Sequence, residues 1–313
     1  MTNDQGPRLK NALPGSTIIF RPIWFEALMN LRLFTQIVFI VFETSGCVSQ
    51  SSQQRDYPRD LLANHSVEVI SQADSCAVAI AQSQDNGTPE LDTGSIDLLV
   101  WNIQKGRNTG WLEDLNKFSG DKDLVLIQEA VLQTAVATQL APETYWSFAP
   151  GFQTAQGISG VVTFSTIQPL VQCNLSTKEP WLRTPKATNI AEYGLKDTDD
   201  SLLVANIHAV NFTLGVRTLA EQLEQVRHVL VEHQGPVIFS GDFNTWSTKR
   251  QRVVNEFVES LQLTALSFNE DHRLRVFGNP MDHVYVRGLT SLEAMSQPVD
   301  TSDHNPMSVK LML

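Results

Sequence analysis

The stretch PVIFSGDFNTW (236–246) decides how the rest of the chain is read. Its first part, Pro236 to Ser240, is a continuous apolar run bounded by Gly235-Pro236 and Gly241-Asp242, too short for a helix and suited to an interior strand. That strand ends by presenting a carboxylate, Asp242, and a carboxamide, Asn244, two residues apart behind a glycine. Alternate residues beyond a strand end can face the same side, and in an open α/β architecture the loops at that edge carry chemistry on a rigid scaffold. Gly, Asp and Asn are equally the residues of a tight turn. The stretch alone fits both accounts, so its neighbours have to separate them.

Outward from it, IDLLVW (96–101), LVLIQ (124–128), residues 158–164, LLVANIH (202–208), HVYVR (283–287) and PMSVKLML (306–313) read as strands. Helices are expected over 111–118 and 131–140. Another is expected between Gly215 and Gly235, where Val216, Leu219, Leu223, Val226 and Leu230 recur at three- and four-residue steps. A fourth, over 249–261, puts Val253, Val254, Phe257 and Leu261 on one face. This alternation predicts sheets covered by helices, a layered α/β domain over 96–313.

Polar residues gather where these strands end. Asn102 follows the first, Glu129 the second, His208 closes LLVANIH, Asp242 and Asn244 follow PVIFS, and Asp303-His304 precede the last strand. Each has a plain structural account: Asn102 and Asp303-His304 as turn residues, Glu129 as an acid in a helix's first turn, His208 as a satisfied core histidine. Their recurrence at successive strand ends argues instead for one site.

VWNIQKG (100–106), LVLIQEA (124–130), VANIHAVNF (204–212), SGDFNTW (240–246), MDHVYVRG (281–288) and TSDHNP (301–306) resemble the successive motifs of the endonuclease/exonuclease/phosphatase superfamily. The resemblance spans 96–313 and none of 1–95. It implies a deoxyribonuclease I-like fold, a layered sandwich of two mixed β-sheets flanked by helices, and metal-dependent phosphoester hydrolysis with Mg2+, or Mn2+ in its place. Glu129 would be the main metal ligand, with Asn102 beside it and Asp303 close by; hard oxygen donors suit such an ion. Asp242 would activate the attacking water and Asn244 hold the phosphoryl group. His208 and His304 would bind or protonate phosphate oxygens, with Asp282 orienting His304. The neighbouring His283 is read as structural. Many members of the superfamily pair the first histidine with an acid, but this chain has no Asp or Glu from Thr144 to Lys178. A backbone group is expected to orient His208 instead.

The substrate is less defined. The chain of 313 residues carries a formal charge of −11, and residues 96–313 hold 17 basic against 24 acidic residues, a balance that excludes a surface built wholly to hold polyanions. Basic residues do stand near the expected site: Arg250 and Arg252 after the opening motif, Arg273 and Arg275 before Asp282. They read either as phosphate grips or as a solvated helix start and loop. Three readings compete. The first is a phosphodiesterase or nuclease on small or single-stranded substrates. The second is a phosphodiesterase of phospholipid headgroups, similar to sphingomyelinases. The third is a catalytically silent binding protein of the same fold. A monomer is expected in each case.

At the N-terminus, LFTQIVFIVF (33–42) follows Arg32 and is shorter than the roughly 20 residues of a membrane span, the layout of a signal peptide starting near Met29. Thr44-Ser45-Gly46-Cys47 resembles a lipoprotein cleavage box, although Glu43 and Thr44 stand where apolar residues are usual. Residues 1–47 are thus expected to export the protein or anchor it to a membrane through lipidated Cys47, with a cytoplasmic protein as the alternative. Residues 48–95 read as a polar, poorly ordered linker with a short helix within 67–82. Cys47, Cys76 and Cys173 have neither a zinc-type spacing nor the density of a disulfide framework.

Overall fold

The structure, a computed structural model, describes residues 62–83, 87, 89–132 and 144–313. The apolar run at 33–42, Cys47 and most of the helix expected over 131–140 lie outside the described residues. In chain order these form β1 (Val69–Ile70), α1 (Ala73–Ala81), β2 (Ile96–Asn102), α2 (Trp111–Ser119), β3 (Leu124–Val131), β4 (Tyr145–Thr154), β5 (Gly157–Ser165), β6 (Val171–Lys178), β7 (Pro185–Gly194) and β8 (Ser201–His208). There follow α3 (Arg217–Leu230), β9 (Val237–Asp242), α4 (Thr248–Ser260), β10 (Thr264–Ala265), β11 (Arg275–Val276), β12 (Asn279–Pro280), β13 (Asp282–Arg287), β14 (Thr290–Ser296) and β15 (Met307–Met312).

The strands make two large sheets, one ordered β1-β6-β7-β8-β9-β13-β10 and the other β14-β15-β2-β3-β5-β4, beside the small β11-β12 hairpin. β8 and β9 run parallel within the first, β2 and β3 within the second. Apart from the short β1-β6 pair, the other ladders are antiparallel, so both sheets are mixed. Strands covered on both faces carry unbroken apolar runs, and the packing follows. Leu98, Val100, Leu124 and Leu126 meet Tyr193, Leu202, Val204, Ile238 and Val284 between the sheets. The outward residues Leu203, Ala205, Ile207 and Phe239 bury against Leu219, Leu223, Val226 and Leu230 of α3 and Val254 and Phe257 of α4. Each such side chain contributes about 1.5–3 kcal/mol when fully buried. α2 covers the second sheet through Leu115 and Phe118 against Leu99, Trp101 and Ile127.

Three local features depart from the sequence reading. Val131 ends β3 rather than starting a helix. The folded part begins well before Ile96: β1 pairs with β6, and α1 packs Ile80 into the cluster under α3. The residues expected to form a linker are therefore partly built into the sheet and its cover. Finally, Cys76 of α1 and Cys173 of β6 form a disulfide across 97 residues, which the spacing of three cysteines gave no reason to expect.

Candidate active site

The parallel pairs bring their C-terminal ends to one edge. In the first sheet, His208 of β8 is the register partner of Asp242 on β9, and Asp242 that of Asp282 on β13, so three ionisable side chains stand on neighbouring rungs. Gly241 makes this alignment feasible. Its φ is +139°, and a Cβ there would lie 2.0 Å from the Ile207 carbonyl oxygen, closer than any side chain tolerates. In the second sheet Asn102 ends β2, while the β3 ladder slips between Ile127 and Ala130. Glu129 sits in that irregularity with φ of 53°. A bulge of this kind re-aims a side chain, here into the cleft, where the Glu129 side chain is 17% exposed.

Hydrogen bonds lock the two halves together. Asn102 Nδ2 donates to Asp242 Oδ2 at 3.0 Å. His304 Nδ1 lies 2.7 Å from Asp282 Oδ2, while its Nε2 is 4.0 Å from Asp242 Oδ2. The Trp101 indole donates to the His304 carbonyl at 2.8 Å and Ser302 Oγ to that of Asn102 at 2.7 Å, tying the final loop to β2. Asn244, at φ of 51°, donates its backbone N–H to Asp242 Oδ1 and one amide hydrogen to the Ala209 carbonyl, each at 2.9 Å.

The electrostatics divide the acids and bases into distinct states. Burial pushes Asp242 up to about 6, against the pull of the charge on His304. His304 loses by burial but gains more from Asp282 and Asp242, and is raised to about 10; it is a cation at neutral pH. Burial opposes the charge on Glu129 too, yet Lys105 and Lys186 beside it hold its carboxyl well below the usual range. His208 goes the other way: burial first, then the adjacent Lys186 ammonium, keep it well below the ordinary histidine value.

The structure places Asn102, Glu129, His208, Asp242, Asn244, Asp282 and His304 at this one edge, with Asp303 exposed beside them. The four arginines do not join them as free phosphate grips. Arg250 is buried and donates to the carbonyls of Asn244 and Val210 and to Thr213 Oγ1, so it props the loops behind the site. Arg273 and Arg275 are both bound to Asp271, and Arg273 also to the Asp282 carbonyl. Arg252 is exposed on α4. His283 is structural: its Nε2 meets Thr245 Oγ1 at 2.8 Å, its ring stacks on Tyr285, and burial lowers it to about 3.

Two residues were missed. Lys105 Nζ is 2.6 Å from Glu129 Oε2, and Lys186 Nζ is 2.8 Å from His208 Nε2. Lys186, not a backbone group, is thus the partner at this nitrogen of His208. Burial lowers the Lys186 pKa, while Glu129, Glu179 and Asp242 raise it; as an ammonium Lys186 can only donate, and Nε2 of His208 then accepts. Lys105 lies inside VWNIQKG and could have been singled out there; Lys186 follows a proline at a strand start and carries no signal.

A divalent ion suits this donor set. Glu129 already faces a cation, the Lys105 ammonium, and the Asn102 and Asp303 oxygens are hard donors of the kind such ions prefer. Asp242, Asp282 and His304 also place ligand atoms within 4.8 Å of one another, although the His304–Asp282 bond already uses two of them.

Two stacked mixed sheets with a ring of acids, amides and histidines at their shared edge define a protein of the deoxyribonuclease I-like fold class. The chain belongs to the endonuclease/exonuclease/phosphatase family, whose model matches residues 99–304. It is 38% identical over 224 residues to a UPF0294 protein of Vibrio parahaemolyticus, covering 71% of this chain and 79% of that one. In fold it is similar to the human Nocturnin catalytic domain with bound sulfate, at TM-score 0.56 and 16% identity over 73% of this chain and 97% of that one. It is likewise similar to a mannosyl-6-phosphatase of Bacteroides thetaiotaomicron, at TM-score 0.50 and 15% identity over 70% and 100%.

Proposed function

We propose that this chain is a Mg2+-dependent phosphoester hydrolase, acting as a monomer on small or single-stranded phosphodiesters. The observation that carries the reading is the row His208, Asp242, Asp282, with His304 bonded to Asp282 and Glu129 facing it from the other sheet. When bound by Glu129, Asn102 and Asp303, the ion supplies neutralisation of the charge growing on phosphate oxygens. Asp242, poised near 6, takes the proton of the water that attacks phosphorus. Asn244 orients the phosphoryl group with its side-chain amide. His304, kept cationic by Asp282, donates from Nε2 to the leaving oxygen as the ester bond breaks, so the alcohol departs neutral.

An amphiphilic phosphoester is the second reading, favoured by one observation. The large apolar side chains most exposed among the described residues, Trp181 at 64%, Leu214 at 76% and Phe277 at 72%, all lie on loops at the active edge of the first sheet, near the bonds from the Asn211 N–H to Glu179 and from Thr245 to the Pro280 carbonyl. Turnover of a plasmid, a short single strand, a dinucleotide and a phospholipid, with and without Mg2+, separates the readings. Metal-dependent cleavage of the short strand or dinucleotide is expected, and Glu129→Gln should raise the Mg2+ concentration giving half-activation. Chelator-resistant turnover would reject the metal, phospholipid cleavage alone would favour the second reading, and no turnover would leave a silent binding protein.

We further propose that the protein is exported or membrane-anchored through Cys47. The Cys76–Cys173 disulfide supports an oxidising compartment. Fractionation of host cells should find the parent with membranes and Cys47→Ser released or unprocessed; a soluble, uncleaved parent would favour the cytoplasm.

A further inference from the structure

The two lysines that sequence motifs did not single out share one aromatic ring. Lys105 Nζ lies 5.6 Å and Lys186 Nζ 5.8 Å from the centroid of Phe152, a half-buried residue of β4. Lys186 is 7% exposed, and burying an ammonium is costly unless its charge is used. Glu129 answers one of these cations, through Lys105. Lys186 is bonded to His208; Glu129, Glu179 and Asp242 act on its charge from a distance, and none of them is within ion-pair reach among the described residues. On the opposite side of Asp242, the His304 cation is held by Asp282. A phosphate between Asp242 and Glu129 would therefore meet His304 on one flank and Lys186 on the other.

We propose that Lys186, positioned by His208 and backed by Phe152, is the cationic clamp for the phosphoryl oxygens in the transition state, in the place where an acid–histidine pair would otherwise act. The assignment rests on the phosphoester reading above and deepens it. A diester phosphate carries one negative charge. Once Asp242 has taken the proton of the attacking water, a second negative charge appears on the phosphoryl oxygens, and a pre-placed ammonium binds that state more strongly than the substrate. Its contribution then falls on kcat rather than on KM.

The test compares Lys186→Met and Lys186→Arg with the parent full-length chain, melting curves first establishing that each folds. Lys186→Met should lose about 10²–10³-fold in kcat, the scale of one oxyanion donor, with KM within about threefold, and Lys186→Arg, which keeps the charge, should recover part of the loss. A kcat within about threefold of the parent, or an effect confined to KM, overturns the assignment. Orthovanadate with Mg2+, read as a rise in melting temperature, tests the clamp without any assumed substrate. Protection of the parent that is lost in Lys186→Met supports the clamp; equal protection, or none in the parent, overturns it. Should the parent hydrolyse no phosphoester, the functional reading fails while the vanadate comparison still decides the role of Lys186.

Discussion

Asp242 and His304 stand 4.0 Å apart with opposite charges available to them, and under the proposed mechanism their protonation would set the pH window of hydrolysis. Asp242 must be deprotonated to accept a proton, so rate is lost as pH falls through about 6. His304 must keep its proton, so rate is lost as pH rises through about 10. A bell-shaped kcat/KM profile with these limbs is expected. Removing the charge on Asp282 withdraws what holds His304 up, so Asp282→Asn should move the alkaline limb toward neutrality by about one unit or more. An unmoved limb would exclude His304 as the acid. Asp242→Ala should cost about 10²–10⁴-fold in rate with the fold retained; a folded variant within a few-fold of the parent would remove Asp242 from its role. Asp242 was legible because it interrupts an apolar run where a strand stops, His304 because it stands just before the last strand, and Asp282 only through the resemblance of its motif. The arginines misled for the opposite reason: sequence proximity does not say where a guanidinium points, and Asp271 and backbone carbonyls had already taken three of them.

Among the elements, strands buried on both faces were readable and several others were not. β14 and β4 are edge strands, and β14 is largely exposed, so neither carries a continuous apolar run. β7 is central and almost wholly buried, yet Lys186, Thr188, Asn189 and Glu192 lie within it. Asn189 bonds Asn174 and Ser147, and Glu192 bonds Ser201; buried polar networks hid the strand from any reading by hydropathy. α1 shows how a composition typical of a linker can still fold when it is fastened. Its attachment by Cys76–Cys173 should contribute about 2–5 kcal/mol, because the bridge restrains the unfolded chain. The double variant Cys76→Ser/Cys173→Ser should show that loss as a lower denaturant midpoint, and reductant should shift the parent but not the variant. Equal midpoints would mean that the bridge does not form.

For the whole molecule, charge limits the partners. With Arg250, Arg273 and Arg275 engaged internally and a net charge of −11, Arg252 alone of the four arginines read near the site is left to follow a duplex. Each phosphate contact adds about 0.9 to the slope of log affinity against log salt on a duplex and about 0.7 on a single strand, so hydrolysis of a short strand held by one or two contacts should weaken by less than about tenfold between about 50 and about 200 mM salt. Fastest cleavage of plasmid with a steep slope would contradict this. The row of His208, Asp242 and Asp282 has a further effect. Because the three are rungs of adjacent hydrogen-bonded strands, the spacing of the sheet acts as their ruler, about 4.8 Å from strand to strand. The loops bearing Trp181, Leu214 and Phe277 lie outside that ruler. Exchanging those loops for others could retarget the protein to new phosphoesters while the distances on which the chemistry depends stay as the backbone sets them.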